Sequence, residues 1–254
     1  MPPPPEFGSA PLAIVTGGAK RIGATLVRTL AAQGWRVLIH CNTSRKHADA
    51  LAGEIGGTVV ASDLAHPDAA DAIMAAAGGA ARLLVNNASR FVYDRWDNFT
   101  DADWAAHMSV NVRAPVTLTR AFTSALTEGA HGLVVNLLDA KLSAPNADYF
   151  SYTVSRYALA GATELLARAL APQVRVNAIA PTITMTSGPQ NRADFERVHA
   201  LNPLSRGVEA DDLARALMFL VASPTITGQT ITVDAGARFM GLPRDVAFLK
   251  DTDV

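Results

Sequence analysis

Leu12-Ala13-Ile14-Val15-Thr16-Gly17-Gly18-Ala19-Lys20-Arg21-Ile22-Gly23 is the stretch on which the fold turns. The apolar residues from Leu12 to Val15 read as a buried strand, the turn that follows is crowded with glycine, and helical spacing begins at Arg21. Such a turn gathers unpaired N–H groups and the positive end of a helix dipole at one spot, and keeps side chains away from it. That is the environment a dinucleotide pyrophosphate needs. Glycine-rich turns also arise as plain connections, so the rest of the chain has to carry the reading.

Outward from this stretch, apolar runs at 12–15, 36–40, 58–61, 83–85, 133–138, 175–179 and 230–233 alternate with helical spacing at 21–33, 44–55, 68–77, 101–126, 152–170 and 209–221. Strands apolar throughout and separated by helices imply a parallel sheet covered on both faces. The expected fold is α/β: a single-domain, doubly wound, Rossmann-type parallel sheet of seven strands, with ligands at their carboxyl ends.

The chain has 254 residues and a net charge of −1 with no long basic run, which argues against a nucleic-acid or membrane surface and for a small metabolite. The single cysteine, Cys41, excludes an internal disulfide framework, and no Cys/His spacing suits a metal, so a reducing, cytoplasmic setting is expected. No apolar run approaches the roughly 18 residues that span a bilayer. Residues 1–11, with four consecutive prolines, read as a disordered lead, and 12–238 as the Rossmann-type domain. Within it 181–207 is a long irregular stretch suited to a substrate lid. The tail at 239–254 is expected to pack across a subunit boundary.

The spacing from Gly17 to Arg21, then Ile22-Gly23, resembles the short-chain dehydrogenase/reductase family, and Ala19-Lys20-Arg21-Ile22-Gly23 most resembles its pteridine reductase branch. The resemblance continues through Asn86-Asn87-Ala88-Ser89, Tyr152 with Arg156, the run from Arg175 to Pro181, and that from Gly228 to Asp234. It implies a homotetramer that reduces a pterin with NADPH. His40-Cys41-Asn42-Thr43-Ser44-Arg45, after the second strand, holds no acid to repel a 2′-phosphate. Its neutral donors and Arg45, with Lys20 and Arg21, favour NADPH over NADH. Asp63, before Leu64, resembles the residue that caps the adenine and suits equally a cap on the next helix. Asn87 and Ala88 resemble the element on the cofactor face, and Pro181, Ile183 and Thr184 the lining of the nicotinamide carboxamide.

In the family a tyrosine exchanges the proton and a lysine four residues on holds the ribose and lowers the phenol pKa. Here Tyr152 is followed at that spacing by Arg156, on the same helix face, which supplies a permanent charge in a longer, planar group. Asp139, thirteen positions before Tyr152, replaces the usual family serine with the aspartate of pteridine reductases, which can relay a proton to a ring nitrogen. Asn111 resembles the asparagine that interrupts a helix to hold a water. Arg21 and Ser89 resemble residues that bond the pterin and the cofactor phosphates, and Phe91 the ring that stacks on the pterin. The resemblance thus implies hydride transfer to a dihydropterin or dihydrofolate. A carbonyl reductase of the same family, and a cofactor-binding sensor without turnover, remain as alternatives.

Overall fold

The computed structural model describes residues 2–79, 81–185, 195 and 198–249. Strands β1 (Leu12–Val15), β2 (Arg36–Cys41), β3 (Thr58–Ala61), β4 (Ala81–Asn86), β5 (Gly132–Leu137), β6 (Val174–Pro181) and β7 (Thr230–Val233) form one seven-stranded sheet in the order β3-β2-β1-β4-β5-β6-β7. Every pairing is parallel. The order switches direction between β1 and β4, and a crevice opens there at the carboxyl ends of the strands.

The strands lack polar alternation because helices cover both faces. α1 (Arg21–Ala32), α2 (Arg45–Ile55) and α7 (Ala210–Ala222) bury Leu26, Leu51 and Leu217 against Val15 and Ile39. Across the sheet, α3 (Ala69–Ala77), α5 (Ala114–Ser124) and α6 (Phe150–Leu170) bury Ile73, Phe122 and Ala167 against Ile14 and Val134. Adjacent residues of β1 thus serve opposite cores, as the two-residue period of a strand requires. Each large side chain buried this way contributes about 1.5–3 kcal/mol.

The single helix expected over 101–126 is interrupted. α4 (Asp101–Met108) passes into a π-helical segment, Ser109–Arg113, before α5 begins. Pro115 has no N–H to donate to the Asn111 carbonyl, so regular winding cannot continue through that turn. Within the lead expected to be disordered, Pro5–Phe7 makes a 3₁₀ turn, Phe7 packs on Trp35 at 5.3 Å, and Glu6 pairs with Arg175 at 3.3 Å. One buried aromatic ring anchors it despite its prolines. The tail turns back over its own chain, where Val246–Phe248 forms a 3₁₀ turn and Leu249 is buried. Of the expected lid at 181–207, residues 186–194, 196 and 197 lie outside the described residues. Among the described residues no helix is long and apolar enough to cross a membrane.

Candidate active site

The glycine-rich turn is built by close approach of backbones. A Cβ on Gly23 would lie 2.2 Å from the Gly17 carbonyl oxygen and 2.7 Å from Asn87 Nδ2, so only glycine fits. Gly17 has φ +61° and faces the Ala88 backbone. Asn87 braces this contact, donating from Nδ2 to the carbonyls of Thr16 (2.9 Å) and Gly17 (3.1 Å), while Thr16 Oγ1 accepts from the N–H groups of Asn87 and Ala88. The result is a backbone-lined shelf at the start of α1, shaped for a group that needs backbone contact. The residues present fit a dinucleotide.

The shelf is one end of a cleft of about 1030 Å³. Its wall includes Gly17, Lys20, Arg21, Ile22 and Gly23 from the first turn, with His40, Asn42, Asp63 and Leu64 beyond β2 and β3. Asn87, Ala88, Ser89 and Phe91 continue it after β4, Asp139, Tyr152 and Arg156 form its centre, and Pro181, Ile183 and Thr184 its far side. Thr43, Ser44, Arg45 and Asn111 do not reach it. Arg45, expected beside a 2′-phosphate, pairs instead with Asp49 one helical turn on, at 2.7 Å. His40 is buried with both nitrogens engaged: Nδ1 accepts from the Gly17 N–H at 3.2 Å, and Nε2 lies 3.0 Å from the Ser62 carbonyl. Burial holds its pKa below the ordinary value, so the neutral ring supports the turn from behind and is not a donor for the cofactor phosphate.

Tyr152, on the first turn of α6, donates from its hydroxyl to Asp139 Oδ2 at 2.7 Å. Asp139 is oriented by the Lys141 N–H, which donates to its Oδ1 at 2.9 Å. Arg156 lies with its guanidinium carbon 5.1 Å from the centre of the Tyr152 ring and donates from Nη1 to the Leu137 carbonyl at 3.0 Å. Its buried Nε has no protein partner, an orphan donor at the cleft centre of the kind a bound ribose hydroxyl would satisfy. The phenol pKa is not lowered as the sequence led us to expect. Burial raises it first and the Asp139 charge adds to that, outweighing the opposing guanidinium. The Tyr152 phenol is therefore held in its protonated form.

The two other tyrosines near Tyr152 are otherwise engaged. Tyr157 is exposed and donates to the Leu142 carbonyl. Tyr149, its pKa pushed up to about 12 by burial and then by Asp245 and Asp148, stacks on Phe91 with centroids 4.2 Å apart. Phe91 also meets the edge of Tyr152 at 4.6 Å. The ring expected to stack on a pterin is thus covered on one face by Tyr149, while Phe91 remains 39% exposed at the cleft.

Asn111 sits in the π-helical segment, where Oδ1 accepts from the Arg90 N–H at 2.8 Å and Nδ2 donates to the Arg90 carbonyl and Ser155 Oγ, both at 3.0 Å. It fastens the loop after β4 to α6, and does not face the cleft. Sequence reasoning missed Lys141, Arg244 and Asp245, which also line the cleft. Arg244 grips the buried Asp148 with bonds of 2.7 and 2.8 Å, fixing the tail as part of the wall. Lys141, two positions after Asp139, carried a signal in its spacing; the tail carried none.

A family model described as enoyl-(acyl carrier protein) reductase matches residues 17–238. The chain belongs to the short-chain dehydrogenase/reductase family. Among curated members it is 33% identical over 242 residues to a granaticin polyketide synthase putative ketoacyl reductase 2 of Streptomyces violaceoruber, covering 91% of this chain and 97% of that one. Among solved structures, FolM alternative dihydrofolate reductase 1 from Brucella canis, complexed with NADP, superposes with a TM-score of 0.88 at 40% identity, covering 93% and 97% of the two chains. A short-chain dehydrogenase from Burkholderia cenocepacia, also with NADP, gives 0.80 at 34% identity, covering 90% and 98%.

Proposed function

We propose that this chain is an NADPH-dependent reductase of dihydropterins. The observation that carries the reading is the bond from the Tyr152 hydroxyl to Asp139 in a cleft edged by Phe91. A ketone oxygen needs only a hydroxyl to orient it, whereas protonating a ring nitrogen profits from a carboxylate that can resupply the acid. The likeness to the Brucella canis FolM structure supports the same choice.

The residues at the start of α1 would hold the pyrophosphate, with Lys20 and Arg21 at the cleft wall to take a 2′-phosphate. Asn42, Asp63 and Leu64 would border the adenosine, and Pro181, Ile183 and Thr184 the carboxamide. When bound, NADPH supplies the hydride. Tyr152 passes its hydroxyl proton to the ring nitrogen, and its raised pKa keeps that proton in place until substrate arrives. Arg156 compensates the phenolate that remains beside Asp139, and Asp139 hands on a solvent proton to restore the acid. Ser89 and the free edge of the cleft beside Phe91 orient the flat substrate.

The reading extends to a cytoplasmic homotetramer built on α5 and α6, for which Tyr157 and Leu165, both exposed on α6, offer apolar surface. A ketoacyl substrate is the second reading, favoured by the Streptomyces relative. Following NADPH consumption with dihydrobiopterin, dihydromonapterin, dihydrofolate and a set of 3-oxoacyl thioesters and ketones separates the two. Turnover of a dihydropterin well above any ketone is expected. Ketone turnover with no dihydropterin activity would sink the proposal.

A further inference from the structure

Behind the cleft wall lies a buried hydrogen-bond chain that the proposed chemistry does not use. The Val92 N–H donates to His107 Nε2 at 3.3 Å, and His107 Nδ1 lies 2.7 Å from Ser151 Oγ. Ser151 Oγ donates to Asp94 Oδ2 in a short bond, and the Ser151 N–H donates to Asp94 Oδ1 at 3.0 Å. His107 is 0% exposed, Ser151 1% and Asp94 5%. The partners fix the direction of the chain. Because Val92 donates, Nε2 must be bare, so the imidazole proton sits on Nδ1 and is given to Ser151, which gives its own to Asp94.

Each end of this chain lies beside a residue of the cleft. Val92 and Asp94 flank Tyr93 on the loop that carries Ser89, Arg90 and Phe91, while Ser151 immediately precedes Tyr152. His107, from α4, lies edge-on to the Tyr152 ring at 6.3 Å. The bonds therefore tie the loop after β4 to the first turn of α6, and with them the Phe91 ring to the Tyr152 ring. None of His107, Asp94 and Ser151 lines the cleft.

We propose that neutral His107 is a positioning residue that sets the spacing of Phe91 and Tyr152, and that its protonation releases the loop and weakens substrate binding. This rests on the reductase reading above. An imidazolium would present an N–H to the Val92 N–H and cost that bond. The charged and titratable groups facing the ring are Arg90 and Asp94 on the loop, Asp103 on its own helix and Tyr152 on α6. Burial, the largest influence, holds the imidazole pKa below its ordinary value, with Arg90 acting in the same sense and the two carboxylates opposing. The order that depends on the neutral ring is thus complete above about pH 6.5 and is lost as pH falls through the lowered value.

The test uses the full chain and compares wild type, His107→Gln and His107→Phe for NADPH affinity, KM and kcat with dihydrobiopterin, and amide exchange at residues 90–93 between pH 5 and 8. In wild type, KM should climb as pH falls through the lowered imidazole value, with kcat and NADPH affinity changing less. In His107→Gln the amide oxygen can still accept from Val92 but cannot titrate, so KM should stay near wild type at neutral pH and remain flat in acid. His107→Phe fills the space without accepting, and should raise KM about tenfold at neutral pH, the loss that one buried bond typically brings. An acid rise of the same size in His107→Gln overturns the proposal, as does an unchanged KM in His107→Phe. Should His107→Phe fail to fold, the comparison of wild type with His107→Gln decides. Should wild type reduce no dihydropterin, the reductase reading falls, and exchange at 90–93 judges this proposal alone. Protection of these amides, corrected for intrinsic exchange, that falls in acid only in wild type upholds it, and the same pH dependence of protection in wild type and His107→Gln overturns it.

Discussion

Tyr152 keeps its proton although a guanidinium lies beside its ring, because its own burial and then the carboxylate it is hydrogen-bonded to act more strongly in the opposite sense. Asp139→Asn preserves an acceptor for the phenol and deletes the charge. The phenol pKa should then fall, moving the alkaline limb of the kcat profile to lower pH, while kcat near neutrality should drop on the order of 100-fold for want of a group to resupply the acid. A kcat profile of unchanged shape and height in Asp139→Asn would remove Asp139 from the chemistry. The identities of Tyr152, Asp139 and Arg156 were legible from their spacing, but the direction of the phenol pKa was not. Spacing shows that a cation is one turn away; it does not show that the ring is buried. His40 teaches the same lesson: its place after β2 is visible in the sequence, while the Gly17 N–H and Ser62 carbonyl that occupy its two nitrogens are 23 and 22 residues distant.

At the scale of elements, the cradle at the start of α1 works because a turn, a helix and the loop after β4 approach one another without side chains between them. Gly23→Ala places a methyl against the Gly17 carbonyl, a backbone atom that cannot swing aside. Overpacking of that kind costs roughly 1–3 kcal/mol, and the shift it forces should weaken NADPH binding at least tenfold as read by fluorescence titration. A variant with unchanged melting temperature and unchanged NADPH affinity would show that the shelf is not the cofactor cradle. Strand and helix boundaries were readable to within a few residues because fully buried parallel strands are apolar at every position and the covering helices keep a strict period. The break in the helix over 101–126 was written in Pro115, yet the period of the apolar residues runs through it. Periodicity registers which face is buried and is blind to a carbonyl that lacks its donor.

Across the whole molecule, the wall of the cleft is completed by a segment at the far end of the chain. Arg244 and the Asp245 N–H both reach Asp148, 96 and 97 positions away, and Phe248 packs on Tyr93 and Tyr149 at 4.7 and 5.9 Å. No local pattern announces such a contact, since the sequence after Gly241 has neither a period nor a motif, and an assignment to a neighbouring subunit was the natural expectation. The structure places Leu242 and residues 244–247 in the wall that Asp139 and Lys141 share. Burial pushes the Asp148 pKa up, but the Arg244 bonds, the Asp245 N–H and the Lys141 charge outweigh it, leaving the carboxyl below its ordinary value. A depressed carboxyl stabilises the folded form above the unfolded value near 3.9 and stops doing so as pH falls through the folded one, so this latch stays closed across the neutral range. Arg244→Ala should therefore lower the melting temperature by a few degrees, on the order expected for about 1 kcal/mol in a chain of this size, and raise KM for the proposed dihydropterin substrate more than it lowers kcat, with NADPH affinity retained. A chain ending at Gly241 should show the same split more strongly. If either variant lost NADPH affinity in step with KM, the tail would be supporting the cofactor end of the cleft and not the substrate wall assigned to it.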